Sequence, residues 1–215
     1  LAESGHMVNV DMKSRHCAHS THMLRITAGE HRGRKLPVPD VKATRPLVER
    51  ARMAVLDHMR PILEDARVWD VYAGSGILGF ETLSRGASEV VAIEGHARAI
   101  RQLQETAELL GYAGRVQILR IDAHRFLGSA ESELAPDVVF FDPPYKDFQG
   151  AKRSGVWELF CEMSRRLNPG GCSVVHTPRG ILNPTEMGEL PGLVQRDYGT
   201  TSLYWWHAPT DGCIS

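Results

Sequence analysis

Apolar positions along this chain change period several times, and each change marks the start of a new element. Leu24 to Gly29, a polar turn containing Gly33, and Lys35 to Pro39 read as a short β-hairpin. Val48, Ala51, Val55, Leu56 and Met59 then fall at helical spacing, and Pro61 interrupts or ends that helix. Arg67 to Tyr72 is a compact strand, broken by Ala73-Gly74-Ser75-Gly76 before Ile77 to Arg85 resumes the helical period. Glu89 to Glu94 predicts a second strand of this kind, His96 to Leu110 a helix stopped by Gly111, and Val116 to Ile121 a third strand. Asp137 to Phe141 gives a fourth, Gly155 to Leu167 a helix closed by Asn168-Pro169-Gly170-Gly171, and Cys172 to Thr177 a further strand.

Strands alternating with helices demand right-handed crossovers and a mostly parallel, doubly wound sheet with helices on both faces. The pattern changes at the end. Leu193 to Tyr198 and Ser202 to His207 are separated only by Gly199-Thr200-Thr201, too short for a parallel crossover, so an antiparallel hairpin at the sheet edge is expected. The prediction is an α/β fold with a seven-stranded sheet, an antiparallel C-terminal edge hairpin and a small N-terminal hairpin extension. The expected division is a leader over 1–22, a hairpin and helix extension over 23–64, the main domain over 65–209 and a flexible tail over 210–215. Gly5-His6-Met7 and His16, His19 and His22 give the leader the look of a tag remnant, without the apolar core of a signal peptide.

Composition narrows the class. With 42% hydrophobic and 24% charged residues among 215, the chain is a globular domain large enough for a substantial core. No apolar run approaches the roughly 20 residues needed to span a bilayer. The cysteines at 17, 161, 172 and 213 have neither paired nor zinc-ligand spacing and suit reduced thiols in a cytoplasmic protein, so no metal is expected. Net charge is -1, which excludes coating nucleic acid through overall positive field. The N-terminal segment is locally basic, however: Arg25, Arg32, Arg34, Lys35, Lys42, Arg45, Arg50 and Arg52 outnumber Glu30, Asp40 and Glu49. Such a patch grips phosphates without reading sequence.

Candidate chemistry lies at the predicted strand ends, where ligands bind in open α/β sheets. Asp70-Val71-Tyr72-Ala73-Gly74-Ser75-Gly76 places glycines where the backbone turns sharply beside a ligand. A glycine turn alone also serves dinucleotides, but the Asp70 carboxylate would repel a pyrophosphate and suits an amino group and a sulfonium, as in S-adenosylmethionine. Glu94 ends the second strand and is placed to accept from two ribose hydroxyls; Asp122, followed by Ala123, ends the third and is placed to accept from an adenine amino group. After the fourth strand comes Asp142-Pro143-Pro144-Tyr145. An exocyclic amine is a poor nucleophile because its lone pair is delocalised into the ring. The Asp142 carboxylate and the Pro143 carbonyl can accept both its N–H groups and favour a pyramidal, reactive nitrogen. The two prolines stiffen the turn, and Tyr145 can stack on an extruded base, worth about 1–3 kcal/mol.

The order of the Asp70 loop, Glu94, Asp122 and Asp142-Pro143-Pro144-Tyr145 resembles Rossmann-like class I methyltransferases acting on exocyclic amines. Leu24-Arg25-Ile26-Thr27-Ala28-Gly29, Arg32-Gly33-Arg34-Lys35-Leu36, Thr44-Arg45-Pro46 and Leu83-Ser84-Arg85-Gly86-Ala87 narrow the resemblance to the RsmD family. That resemblance implies methyl transfer from S-adenosylmethionine to the N2 amine of guanine 966 in 16S ribosomal RNA, free or in an assembling small subunit, by a cytoplasmic protein acting as a monomer. It further implies that Thr44 and Arg45 close over a cofactor held by Asp70, Tyr72, Ala73, Gly74, Ser75, Gly76, Glu94, Asp122 and Ala123. The chain departs from the family pattern in the Leu47 to Arg52 run, in Tyr72 where phenylalanine is usual, and in His176 where an acid is common. From the residues alone, an adenine-N6 methyltransferase and an idle RNA-binding assembly factor on the same fold stay open.

Overall fold

The computed structural model describes residues 23–37 and 49–210. The expected leader, the Thr44-Arg45 lid and most of the tail lie outside the described residues. β1 (Met23–Arg25) and β2 (Lys35–Pro37) pair antiparallel, and α1 (Glu49–Met59) follows the second stretch's start directly. Pro61 ends α1 gently, because a single 3-10 turn over Arg60–Ile62 takes it near its N-terminus, where a missing N–H leaves no bond unmade.

The main sheet contains β3 (Arg67–Val71), β4 (Glu89–Ile93), β5 (Val116–Leu119), β6 (Val138–Phe141), β7 (Cys172–Pro178), β8 (Val194–Tyr198) and β9 (Thr201–His207). The spatial order is β5-β4-β3-β6-β7-β9-β8. β3 through β7 are parallel, whereas β9 runs antiparallel to both β7 and β8. The expected terminal hairpin is present, with its second strand inserted inside its first. Burial explains that order: β9 carries Leu203, Tyr204, Trp205 and Trp206, all buried, while β8 is exposed over most of its length and takes the edge.

Alternation along the strands splits the core in two. Val68, Val90, Ala92, Val138, Phe140, Val174 and Trp205 face a layer formed by α1, α2 (Ile77–Ser84) and α3 (Ala97–Leu109). Trp69, Val71, Val91, Val139, Phe141, Val175 and Tyr204 face α4 (Ala123–Phe126), α5 (Lys152–Ser164) and α6 (Pro184–Gly188). Helix α5 begins three residues earlier than its apolar period suggests, since Lys152-Arg153-Ser154 adds a polar first turn that periodicity cannot register. No described helix is long and apolar enough to cross a membrane.

The N-terminal hairpin is docked rather than solvated. Glu30 N–H donates to the Ser84 carbonyl at 2.8 Å, and Thr27 N–H to Glu81 Oε1 at 2.8 Å. At Gly29 an added Cβ would lie 1.5 Å from the Ser84 carbonyl oxygen, so only glycine permits this approach. Arg52, counted by sequence in the basic surface, is completely buried and donates to the Arg25 carbonyl at 2.9 Å. Arg25, Arg32, Arg34, Lys35 and Arg50 remain exposed. Because α2 and α3 run back antiparallel to the strands, their C-terminal ends, and the hairpin turn docked there, lie at the opposite end of the sheet from Asp142.

Candidate active site

Two parallel neighbours, β3 and β6, flank the point where the strand order reverses, and both candidate loops emerge there. Asp142 N–H donates to the Val71 carbonyl at 3.2 Å, fastening the start of the second loop to the end of β3. The glycine loop is compact and strained in the expected sense. Tyr72, Gly74 and Gly76 all have positive φ, at 62°, 54° and 71°. For a tyrosine this conformation is costly, and its ring is held by an edge contact with Phe141 at 5.3 Å between centroids. At Gly76 an added Cβ would meet Leu103 at 2.3 Å and Phe80 at 2.7 Å, so the loop closes onto α2 and α3 only with glycine.

The acids divide their labour. Glu94 is buried, and its carboxylate is fixed by two backbone donors: Gly74 N–H to Oε2 at 2.8 Å and His96 N–H to Oε1 at 2.7 Å. The Gly74 amide that a phosphate would need is therefore already committed to a carboxylate. Asp122 caps α4, accepting from His124 N–H at 2.9 Å, and stands exposed beside buried Ala123. Asp70 lies beneath the loop, where Gly79 N–H donates to its Oδ2 at 3.1 Å. It is 2% exposed, so it acts on a ligand through the loop it supports.

Burial lifts the Asp70 carboxyl from 3.8 to about 7, opposed by the Gly79 N–H and reinforced by the negative charges of Asp142 and Glu94. The native state thus keeps the Asp70 proton where the unfolded chain has released it. The stability it contributes is full below pH 3.8 and falls as pH rises towards about 7. We expect Asp70→Asn, whose amide oxygen can still accept from Gly79, to flatten this decline in unfolding free energies measured across that range. An unchanged slope would assign the pH dependence elsewhere.

The Asp142-Pro143-Pro144-Tyr145 turn is tied to the antiparallel end of the sheet. His176, on β7, places Nδ1 at 2.7 Å from Asp142 Oδ1 and Nε2 at 3.0 Å from the Tyr145 hydroxyl. Thr201, the first residue of β9, reaches the same His176 Nε2 at 3.0 Å and also bonds the Tyr145 hydroxyl. With the Asp142 carboxylate paired to Nδ1, the His176 Nε2 is left to pair with the Tyr145 and Thr201 hydroxyls. The arrangement holds one oxygen of Asp142 and the plane of the Tyr145 ring together. Asp142 keeps 29% of its side chain exposed, which leaves the second oxygen reachable from the cleft.

Sequence reasoning marked His176 only as a departure from a family pattern and did not find Thr201. The one available signal was the buried composition of Thr201 to Trp206, which demanded an interior strand next to β7. His176→Leu is expected to lower kcat between about 10- and 100-fold by releasing Asp142 and Tyr145 from register, with cofactor affinity unchanged. His176→Gln, which can still donate to Asp142, should recover part of the loss. Equal losses in both variants would argue against positioning through this bond.

Known proteins share this framework. A family model described as Conserved hypothetical protein 95 matches residues 24–207. The ribosomal RNA small subunit methyltransferase D of Escherichia coli K12 is 38% identical over 123 residues, covering 57% of this chain and 61% of that protein. The solved yhhF structure of Escherichia coli superposes with a TM-score of 0.72 at 29% identity, over 88% of this chain and 99% of that one. RsmC, a 16S rRNA N2 methyltransferase of Thermus thermophilus solved with AdoMet and guanosine, shares the fold at a TM-score of 0.64 and 20% identity, over 87% of this chain and 50% of that one. From its first hairpin to its last strand, over a Rossmann-like sheet whose loop and Asp-Pro-Pro-Tyr turn meet at the C-terminal ends of two central strands, the chain belongs to the Conserved hypothetical protein 95 family, the RsmD family of class I methyltransferases.

Proposed function

We propose that this protein transfers a methyl group from S-adenosylmethionine to the exocyclic N2 amine of guanine 966 in 16S ribosomal RNA, acting in the cytoplasm on free RNA or on an assembling small subunit. The observation that carries the reading is the pairing of the glycine loop with the Asp142 turn across adjacent strands. The residues present fit the cofactor. The Glu94 carboxylate lies against the loop with the Asp70 carboxyl beneath it, and Glu94 spends the Gly74 amide that a pyrophosphate would need, which favours a sulfonium ligand and disfavours a pyrophosphate. Glu94 would hold the ribose, Asp122 and Ala123 the adenine, and Tyr72, Ala73, Gly74, Ser75 and Gly76 the amino-acid portion, with Thr44 and Arg45 closing above. When bound, S-adenosylmethionine supplies an electrophilic methyl group.

The chain's own residues do the rest. Asp142 and the Pro143 carbonyl accept from the substrate N–H groups and align the nitrogen lone pair, while His176 keeps the carboxylate from turning away. Pro144 stiffens the turn, and Tyr145 stacks on the extruded base with its hydroxyl tethered to Thr201. After transfer the nitrogen's proton passes to Asp142 and then to solvent. The exposed arginines of the N-terminal hairpin lie at the far end of the sheet, so any phosphate contact there engages RNA at a distance from the modified base.

The relatives support the ribosomal RNA part of this reading: the Escherichia coli protein that shares 38% identity is called a ribosomal RNA small subunit methyltransferase. The test is methyl-labelled S-adenosylmethionine with ribosomal RNA from a strain lacking the modification. Label should enter small-subunit RNA, and tight NAD binding with no label transfer would refute the reading.

A further inference from the structure

At the opposite end of the sheet from Asp142 the fold assembles three donors that the methyl-transfer reading does not use. Cys172 opens β7, His207 closes β9, and the antiparallel register sets these two residues directly opposite each other. His58, in the last turn of α1, reaches over the pair. His58 Nε2 lies 2.8 Å from His207 Nε2, and Cys172 Sγ lies 3.7 Å from His207 Nε2. All three donor atoms fall within 4.8 Å of one another. The residues stand 149 and 35 positions apart in the chain, so no spacing motif could announce them.

We infer that His58, Cys172 and His207 form a binding site for a divalent transition ion of zinc type, completed by water. Two imidazoles and a thiol are the donor set of such ions, while magnesium and calcium demand oxygen. Ligand lengths of about 2.0–2.1 Å to nitrogen and about 2.3 Å to sulfur place tetrahedral donors roughly 3.3–3.6 Å apart. The sulfur to His207 separation exceeds that range by only about 0.1 Å, and the two imidazoles need to part by about half an ångström. Both rings reach the surface, which leaves the fourth position open to water, while Cys172 is buried beneath them. The His58 ring is flanked by Trp205 at 5.5 Å between centroids, which fixes its approach. The Cys172 thiol points to the Ser173 carbonyl at 3.7 Å; on coordination it gives its proton to solvent and the sulfur bonds the ion. The ion clasps the end of α1 to the junction of β7 and β9, a structural role distinct from the methyl-transfer site.

The test uses the full chain, stripped by chelation under reducing conditions and titrated with cobalt(II). One ion per chain should bind, with tetrahedral visible bands and a near-ultraviolet thiolate-to-cobalt absorption that added zinc removes. Cys172→Ser should abolish the thiolate absorption, whereas Cys17→Ser and the combined alanine replacement of His16, His19 and His22 should leave it intact. His207→Ala, a surface change that the fold tolerates even if Cys172→Ser does not, should weaken binding at least about tenfold and remove the rise in Tm produced by zinc. Absence of the thiolate absorption in the parent protein, its persistence in Cys172→Ser, or an equal zinc-induced rise in Tm in His207→Ala would overturn the inference and leave the two imidazoles as a simple hydrogen-bonded pair.

Discussion

Asp142→Ala is expected to lower kcat for methyl transfer by about 10²–10³-fold while S-adenosylmethionine binds as before. The carboxylate does not reach into the glycine loop by any hydrogen bond; its fixed partner is His176 on the other side. Removing it deletes the acceptor that aligns the amine lone pair and leaves the cofactor's own partners, Glu94 above all, in place. Single-turnover measurements with saturating cofactor separate the two effects. Unimpaired transfer would remove Asp142 from the chemistry, and full complementation by Asp142→Ala in cells would favour an RNA-binding assembly factor on the same fold.

Glu81→Ala is expected to be the most destabilising single change outside the aromatic core. Glu81 is completely buried in α2 and accepts from Thr27 N–H and from the Thr27 hydroxyl at 2.9 Å. It also faces Arg52 at 3.7 Å and Arg85 at 3.3 Å. Burial pushes the Arg52 guanidinium below its ordinary range, and the Glu81 charge is the largest influence opposing that shift. Truncating the carboxylate leaves Arg52 as an uncompensated buried charge, which costs about 3–5 kcal/mol. For a domain of this size that corresponds to a fall in Tm of roughly 6–20 °C. The hairpin should also become susceptible to proteolysis, since Glu81 is its anchor. A fall in Tm below about 2 °C would show that the pair contributes little net stability.

Local chemistry explains why much of this fold can be read in the chain. β3, β4, β6 and β7 are short apolar runs bounded by glycine, proline or acids, and their predicted ends agree with the structure to within two residues. The Asp142 turn and the glycine loop are contiguous in sequence, so their strand-end positions follow once the alternation is seen. What escaped depends on contacts between distant positions. Thr201 enters the Asp142 cluster only because β9 inserts between β7 and β8, and an isolated hairpin pattern does not say which strand lies inside. Arg52 looked like part of a basic surface because its neighbours are charged, yet helical geometry turns it inward against Glu81. α4 and α6 have four and five residues, too short to display a period. Asp122 was read as a ligand for adenine, and the structure gives its carboxylate a capping bond besides.

If the Asp142 turn methylates a guanine amine in small-subunit ribosomal RNA, the product is N2-methylguanosine in that RNA. Nucleoside mass spectrometry reads this out on that RNA, taken from a strain lacking this protein and incubated with purified protein and S-adenosylmethionine. A gain of N2-methylguanosine is expected with the parent protein and none with Asp142→Ala. A gain of N6-methyladenosine instead, or no new methylated nucleoside, would contradict it.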